Sequence, residues 1–294
     1  MIPTFNCAKY LRQTLECVLA QDPGVDQMQI EVVDDCSTKD DPEAVVREAG
    51  KGRVAFYRRP QNGGVTANFN TCVQRSRGHL VHILHGDDYV LPGFYQKLAE
   101  EARLHPDAAL LATRSFLVDE VGVISAVTVR LPPFEKVSHS AGYFFYGTPI
   151  QCPGIVVRRD FYERNGGFIP TLVHTADCEM WGRVTALAGG FVTPDVLACY
   201  REFATNDSGR LARTGENLRD KERFGQLMAE RHPDFDRTTA RRQICELALK
   251  QANRFSEIGD FEAAKINLSY WRNNARLMWR LRRFVKKLTR GLFR

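Results

Sequence analysis

Two pairs of adjacent carboxylates are the residues of this chain best suited to chemistry. Asp34-Asp35 follows the apolar run 30–33, and Asp87-Asp88 follows the apolar run 80–84 and Gly86. Because ligands of parallel α/β sheets bind beyond the carboxyl ends of the strands, both pairs are expected at one binding edge. Their oxygens can bind Mg²⁺ or Mn²⁺ and can accept hydrogen bonds from sugar hydroxyls. The alternative is that both pairs only form turns, in which Asp is common.

The segment Asn62-Gly63-Gly64 precedes a predicted helix near the same edge. Free backbone N–H groups at such a helix start attract phosphate oxygens. Asn-Gly is also an ordinary turn signal, and the segment has neither the Gly-Lys-Ser/Thr nor the Gly-x-Gly-x-x-Gly pattern of known nucleotide-binding loops. Gly86 has no side chain, so a ligand could approach the backbone at that point.

A third acidic segment, Asp177-Cys178-Glu179-Met180-Trp181, begins a predicted helix. Asp177 and Trp181 lie near one face of that helix, whereas Glu179 points away by about 200°. A carboxylate at a helix start can stabilise the helix dipole, or it can act as a general base held in place by the helix. Spacing alone favours the helix-stabilising role.

Strand and helix patterns alternate through about residue 205. Strands are predicted at 30–33, 54–57, 80–84, 109–118, 123–129, 155–157 and 191–200. Helices are predicted at 8–20, 40–49, 65–77, 92–104 and 177–187. Such strand–helix–strand units predict a parallel sheet with right-handed crossovers. After about residue 214 the pattern is helical, with long helices predicted over 238–257 and 260–289.

The composition is that of an ordinary folded protein, with 44% hydrophobic and 26% charged residues among 294. No apolar stretch is long enough to span a membrane. The eight cysteines have no metal-binding spacing, and the start of the sequence has no secretory signal pattern. We therefore expect reduced thiols and a cytoplasmic location.

Several segments between residues 2 and 208 follow one another in a familiar order. They are Ile2-Pro3-Thr4-Phe5-Asn6, Val33-Asp34-Asp35, Asn62-Gly63-Gly64, His85-Gly86-Asp87-Asp88, Asp177-Cys178-Glu179-Met180-Trp181 and Cys199-Tyr200-Arg201. In this order they resemble the family 2 glycosyltransferases. The resemblance implies an α/β GT-A fold, a mostly parallel mixed sheet flanked by helices, over residues 1–210. A helical C-terminal extension would follow over residues 211–294.

The resemblance also implies inverting transfer of a sugar from a nucleotide-sugar, most often a UDP-sugar. The acceptor would be a glycan or a lipid-linked glycan of cell-surface polysaccharide synthesis. Asp87 and Asp88 would hold Mg²⁺ or Mn²⁺, and Asp177 would be the catalytic base. Glu179 and Trp181 would lie on the acceptor side. The nucleotide would contact Pro3, Thr4, Asn6, Asp35, Asn62, Gly64 and Asp87.

Four positions depart from the family pattern. His85 stands where Asp is usual, and a neutral imidazole lacks the carboxylate charge although it can bind a metal. Ala67 replaces an Arg that would contact phosphate, Ala176 replaces a Glu, and Phe203 replaces a His that can bind the metal. These departures leave metal dependence open. Ala67 and Phe203 favour the alternative of a non-catalytic domain that binds a nucleotide-sugar or a protein partner, whereas Asp87, Asp88 and Asp177 oppose it.

The family's first strand, an apolar run before Ile2-Pro3-Thr4, is almost wholly missing from this sequence. Its loss would leave two neighbouring strands unpaired. The sequence therefore predicts a true start upstream of Met1, and a defective copy is the alternative.

The net charge of +6 is concentrated at the C-terminus, where the last 23 residues carry nine Arg or Lys and no acidic residue. Aromatic residues are interleaved with these cations over 270–294. Such a helix can lie on an anionic membrane surface, which would suit a lipid-linked acceptor and a peripheral location. The alternative is a packed terminal helix with a solvated basic face. No nucleic-acid-binding module accompanies the charge, so nucleic acid is not an expected partner.

Overall fold

A computed structural model describes residues 1–131, 138–147, 149–203 and 207–275. The chain divides into two compact units, Met1–Phe203 and Ala204–Arg294. The helix α8 (Asp207–Thr214) therefore belongs to the second unit, whereas the sequence assigned residues up to 210 to the first.

The first unit begins with a three-stranded parallel sheet. Its strands are β1 (Ile2–Thr4), β2 (Glu31–Asp34) and β3 (Ala55–Arg58), in that order. The connecting helices are α1 (Ala8–Leu19), α2 (Pro42–Gly50) and α3 (Val65–Arg75), close to the predicted ranges. The apolar face of α1 and the strands share one buried core, to which Ile2, Leu11, Leu15, Val18 and Val32 belong.

The short strand β1 is paired on both sides. Ile2 lies opposite Val32 of β2, and the three residues of β1 are buried. On the other side, the Leu84 N–H donates to the Met1 carbonyl and the Gly86 N–H to the Pro3 carbonyl, each at 3.0 Å. The prediction that two neighbouring strands would be left unpaired is therefore wrong. The three residues of β1 are enough to join β2 to the segment after residue 82.

A second, six-stranded sheet completes the first unit. Its order is β4 (Leu80–His82), β8 (Ile155–Arg158), β6 (Leu110–Val118), β9 (Gly190–Arg201) and β5 (Tyr89–Val90), and β7 (Ile124–Val127) pairs with β6. The pairing of β6 with β9 is parallel, and the other pairings are antiparallel. The first unit is thus mixed α/β, as predicted, with much of its parallel pairing in the first sheet. The predicted strands 109–118 and 123–129 pair antiparallel as β6 and β7.

Four more helices belong to the first unit: α4 (Phe94–Leu104), α5 (Ser138–Tyr146), α6 (Arg159–Asn165) and α7 (Ala176–Ala188). The sequence predicted α4 and α7. It missed α6 because seven residues show too little periodicity.

The second unit is helical in its described part, with α8, α9 (Glu216–Arg231), α10 (Arg237–Glu257) and α11 (Phe261–Asn274). Asp236 and Asp260 cap α10 and α11 by accepting hydrogen bonds from first-turn N–H groups. Among the described residues, no helix is long and apolar enough to cross a membrane. The predicted membrane-binding segment 270–294 lies outside the described residues from 276 onward.

Candidate active site

The loop that follows β4 brings three metal-ligating side chains together. Ligand atoms of His85, Asp87 and Asp88 all lie within 4.8 Å of one another. Asp88 is 1% exposed, and its Oδ2 lies 3.2 Å from His85 Nδ1. Apart from this contact, Asp88 Oδ2 and His85 Nε2 are both buried without a hydrogen-bond partner in the described part of the chain. Since buried polar atoms are normally paired, this group fits a divalent cation.

The charges of this group influence one another. Burial raises the pKa of Asp87 to about 6, and the Asp88 carboxylate adds to the rise, while His85 and Arg201 oppose it. Burial by itself would lower the pKa of His85, but the neighbouring Cys152 and Asp88 hold it well above its usual value. A cation that binds here must therefore compete with protons on these side chains.

Arg201, at the end of β9, fixes the loop that carries Asp87 and Asp88. It is 3% exposed, and its backbone N–H donates to Asp88 Oδ1 at 2.8 Å. Its guanidinium donates to four oxygen atoms: the backbone carbonyls of Asp87, Asp119 and Glu120, and the side-chain Oε1 of Gln13. One buried side chain thus ties the loop of Asp87 and Asp88 to α1 and to the turn after β6.

The end of β1 packs directly against this loop. Thr4 is buried, and its Oγ1 lies 2.8 Å from the Sγ of Cys7. A Cβ at Gly86 would lie 3.0 Å from both of these atoms. Gly86 therefore makes room for Thr4 and Cys7, and the predicted approach of a ligand to its backbone is not supported.

Asn6 organises the loop that follows β2. Its backbone is left-handed, with φ of 51°, and its N–H donates to Ser37 Oγ at 2.8 Å. Its Oδ1 accepts hydrogen bonds from the N–H groups of Thr38 and Lys39 at 2.9 and 3.0 Å. The predicted contacts of Pro3, Thr4 and Asn6 with a nucleoside stay predictions, and the structure places all three at the end of β1.

Asp35 anchors the loop before α3. It is 2% exposed, forms an ion pair with Arg59, and accepts hydrogen bonds from the N–H groups of Gly63 at 3.0 Å and Gly64 at 2.8 Å. Asn62 Nδ2 donates to the Asp35 carbonyl at 3.0 Å. The glycine N–H groups predicted to be free for phosphate are therefore occupied. The nucleotide contacts of Asp35, Asn62 and Gly64 remain predictions.

Asp34, the other carboxylate of the adjacent pair Asp34-Asp35, is likewise held by contacts within the protein. Its side chain is fully buried, and it accepts hydrogen bonds from Ser37 Oγ at 2.5 Å and Arg58 Nε at 2.7 Å. Asp34 and Asp35 thus stabilise the loops at the ends of β2 and β3, in agreement with the alternative that this pair forms a turn.

Asp177 is the second residue of α7 and is partly exposed. Its Oδ1 accepts a hydrogen bond from the N–H of Cys178 at 2.7 Å. Burial raises the pKa of Tyr200, and the carboxylates of Asp88, Asp177 and Asp87 raise it further. The candidate base Asp177 therefore lies within electrostatic range of the same phenol as Asp87 and Asp88.

The two residues predicted on the acceptor side are buried. Glu179 is 3% exposed and forms two hydrogen bonds with the Arg183 guanidinium, at 2.9 and 3.1 Å. Arg183 also donates to the Gly167 carbonyl at 2.7 Å, so the pair holds the loop after α6. Trp181 is 2% exposed and packs edge-on against Phe168. Neither side chain offers a surface to an acceptor, and that role is not supported here.

Two residues of this site carry weak signals in the sequence. His85 departs from the family pattern, but its spacing to Asp87 and Asp88 is the signal of a mixed ligand set. Arg201 lies in a motif that does not show its role, because its oxygen partners come from distant parts of the chain.

Comparison with known proteins decides the family. Residues 1–165, more than half of the chain, match the family described as Glycosyl transferase family 2. The chain belongs to this family. The predicted family and its enzymatic class, glycosyltransferase, are thereby confirmed.

Relatives and solved structures agree with this assignment. The chain is 26% identical over 237 residues to the uncharacterized protein MT1568 of Mycobacterium tuberculosis, covering 76% of this chain and 72% of that protein. It is 30% identical over 137 residues to a chondroitin synthase of Escherichia coli, covering 46% of this chain but only 19% of the synthase. The whole-length activity of that synthase therefore does not transfer to this chain.

Two solved structures share the fold. Staphylococcus aureus TarS 1–349 in complex with UDP-GlcNAc superposes with a TM-score of 0.57 at 17% identity, covering 93% of this chain and 91% of that one. The mannosyltransferase PcManGT of Pyrobaculum calidifontis, in complex with GDP-Man and Mn²⁺, gives 0.54 at 15% identity, covering 98% and 78%. The predicted GT-A fold is confirmed.

Proposed function

We propose that this glycosyltransferase moves a sugar from a UDP-sugar to an acceptor hydroxyl with inversion at the anomeric carbon. Asp87 and Asp88, with His85 beside them, would hold a divalent cation, either Mg²⁺ or Mn²⁺. Asp177 would be the general base. The observation that carries the proposal is the group of ligand atoms within 4.8 Å, in which the buried Asp88 Oδ2 lies 3.2 Å from His85 Nδ1.

A bound cation would supply positive charge to the diphosphate as it leaves. Asp177 would accept the proton of the acceptor hydroxyl while that oxygen forms its bond to the anomeric carbon. The bond from the same carbon to the diphosphate oxygen breaks, and attack from the opposite side inverts the centre. The helix α7 would hold the carboxylate of Asp177 in place for this transfer.

The nucleoside would lie against the ends of β1 and β2. Pro3, Thr4 and Asn6 come from the first strand end, and Asp35 from the second. The hydrogen bonds of Asn6 to residues 38 and 39, and of Asp35 to residues 63 and 64, make both loop walls rigid before a donor binds. Rigid walls reduce the entropy lost on binding.

We further propose a glycan or lipid-linked acceptor, cell-surface polysaccharide synthesis, and a cytoplasmic location at the membrane face. Support comes from relatives named chondroitin synthase and poly(ribitol-phosphate) β-N-acetylglucosaminyltransferase, and from the basic segment 270–294. Co-sedimentation with anionic vesicles, with and without residues 276–294, tests the membrane part. Equal binding of the two proteins would reject it.

Calorimetric titration of UDP and GDP, first with Mn²⁺ and then with EDTA, tests donor and cation binding together. Asp88→Asn removes the negative charge but keeps an oxygen that can accept from Arg201, and Asp107→Asn is an exposed control. We expect Mn²⁺-dependent UDP binding in the wild type and the control, weakened at least about tenfold in Asp88→Asn. Binding that ignores EDTA and Asp88→Asn would refute the cation site, and no nucleotide binding would refute the transferase.

Release of UDP from a panel of UDP-sugars then tests the base. Asp177→Asn should bind UDP as the wild type does and lose about 10²- to 10⁴-fold in turnover. Full turnover in this variant would exclude Asp177 as the base.

A further inference from the structure

The imidazole of His85 is held in a fixed orientation beside the carboxylates. The Phe69 ring stacks on it with a centroid distance of 5.2 Å and an interplanar angle of 14°. Its Nδ1 lies 3.2 Å from Asp88 Oδ2, and the His85 side chain is 24% exposed. Packing therefore presents a ring nitrogen to the carboxylate group, while part of the ring stays accessible.

The short contact between His85 Nδ1 and Asp88 Oδ2 requires a proton or a cation between the two atoms. Asp88 is 99% buried, and its Oδ2 makes no hydrogen bond within the described residues apart from this contact. Its other oxygen accepts from the Arg201 N–H. A cation bound between Oδ2 and the imidazole would take the place of the shared proton and neutralise the buried carboxylate.

The donor set consists of one imidazole and two carboxylates. Mg²⁺ prefers oxygen ligands, whereas imidazole nitrogen suits first-row transition-metal ions. We infer that His85 is a direct ligand and that it makes this site select a transition-metal ion such as Mn²⁺ over Mg²⁺. The inference rests on the cation site of the proposed function and adds the class of ion and the residue that selects it.

Pulsed electron paramagnetic resonance of Mn²⁺ bound to the full chain tests the ligand directly. The buffer contains no nitrogen, and nucleotide is left out, so a ¹⁴N coupling reports a protein nitrogen. His85→Asp is the test variant, and His79→Asp, at an exposed histidine outside the site, is the matched control. We expect the ¹⁴N coupling in the wild type and in His79→Asp, and its loss in His85→Asp with Mn²⁺ still bound.

Competition between Mg²⁺ and Mn²⁺ for the site is the second measurement. The excess of Mg²⁺ needed to displace half of the bound Mn²⁺ should fall at least about tenfold in His85→Asp, because three carboxylates form a harder site. His85→Asn, which is neutral and similar in size, should also lose the coupling, and it replaces His85→Asp if that variant does not fold.

Three results would overturn the inference: bound Mn²⁺ without a ¹⁴N coupling in the wild type, no Mn²⁺ binding at all, or an unchanged Mg²⁺ excess in folded His85→Asp. The proposed function is measured separately, as UDP release from UDP-sugars. Loss of that release with an intact ¹⁴N coupling would refute the function and leave the ligand assignment standing. Release without the coupling would refute only the ligand assignment.

Discussion

Replacing Arg201 by Met should destabilise the first unit and weaken cation binding together. Met keeps an apolar stem of similar length but donates no hydrogen bond. The substitution leaves four oxygen acceptors without their donor: Asp87 O, Asp119 O, Glu120 O and Gln13 Oε1. Gln13, Asp119 and Glu120 are exposed, so their oxygens can bind water instead, whereas Asp87 is half-buried. Since one buried acceptor without a partner costs about 1–3 kcal/mol, we expect a loss of about that size in the free energy of unfolding.

Aromatic contacts add to the cost. The guanidinium lies 4.7 Å from the ring centroid of Tyr10 and 5.5 Å from that of Tyr89. A cation beside a ring contributes about 0.5–2 kcal/mol, of which sulfur–aromatic contacts of Met would restore a part. The backbone N–H of residue 201 still donates to Asp88 Oδ1, so Asp88 keeps one of its contacts while Asp87 loses its anchor.

Urea unfolding of Arg201→Met, with exposed Arg103→Met as control, measures the stability change. The control should lie within about 0.5 kcal/mol of the wild type. Calorimetry with Mn²⁺ measures the loss of cation affinity. Arg201→Lys should lie between the wild type and Arg201→Met, because an ammonium reaches fewer of the four oxygens. A stability loss below about 1 kcal/mol, together with unchanged Mn²⁺ affinity, would refute the positioning role of Arg201.

Three further outcomes follow from the site. The affinity for Mn²⁺ should fall by more than about tenfold from pH 7 to pH 5, because the Asp87 carboxyl, whose pKa is raised to about 6, takes up a proton over that interval and the His85 imidazole, whose pKa is held well above its usual value, must lose one to bind. Titrations of Asp87→Asn should show a smaller fall. Asp35→Asn should lower the free energy of unfolding by about 3 kcal/mol, because Arg59 loses its buried partner, and hydrogen exchange should show faster exchange at Gly63 and Gly64. Glu179→Gln should lower the melting temperature but leave the KM for acceptor unchanged, and a raised KM with unchanged melting would restore its acceptor-side role.

Local sequence patterns predicted much of the fold. Apolar runs rich in β-branched residues indicated β2, β3 and β6, and spacing of apolar residues indicated α1 and α10, within a few residues of their bounds. The two-residue strand β5 was missed because it exists only by pairing with β9, far along the chain. The same limit explains the wrong prediction that the strands beside β1 would be unpaired. Its stability comes from hydrogen bonds on both sides, which three residues can make but no short pattern can reveal.

The candidate site was predicted less completely than the fold. The carboxylates at strand ends correctly indicated the edge of the sheet at which the candidate site lies. The residues that pair with each carboxylate could not be predicted from spacing. Asp35 and Asp87 look alike in sequence, yet Asp35 is paired with Arg59 and two N–H groups while Asp87 has a raised pKa beside Asp88. Which carboxylate is structural and which can take a cation depends on the residues that three-dimensional packing brings to each.

The same packing bears on whether the departures from the family pattern signify a non-catalytic domain. Asp88 is buried, Arg201 fixes one of its oxygens, and the imidazole of His85, on which Phe69 stacks, faces the other. A domain that only binds a partner has no need to bury this carboxylate, because taking its charge out of water lowers the stability of the fold. His85 therefore does not simply remove a charge from the site. It adds a ring nitrogen to the ligand group of Asp87 and Asp88, which favours a working cation site over a degenerate one.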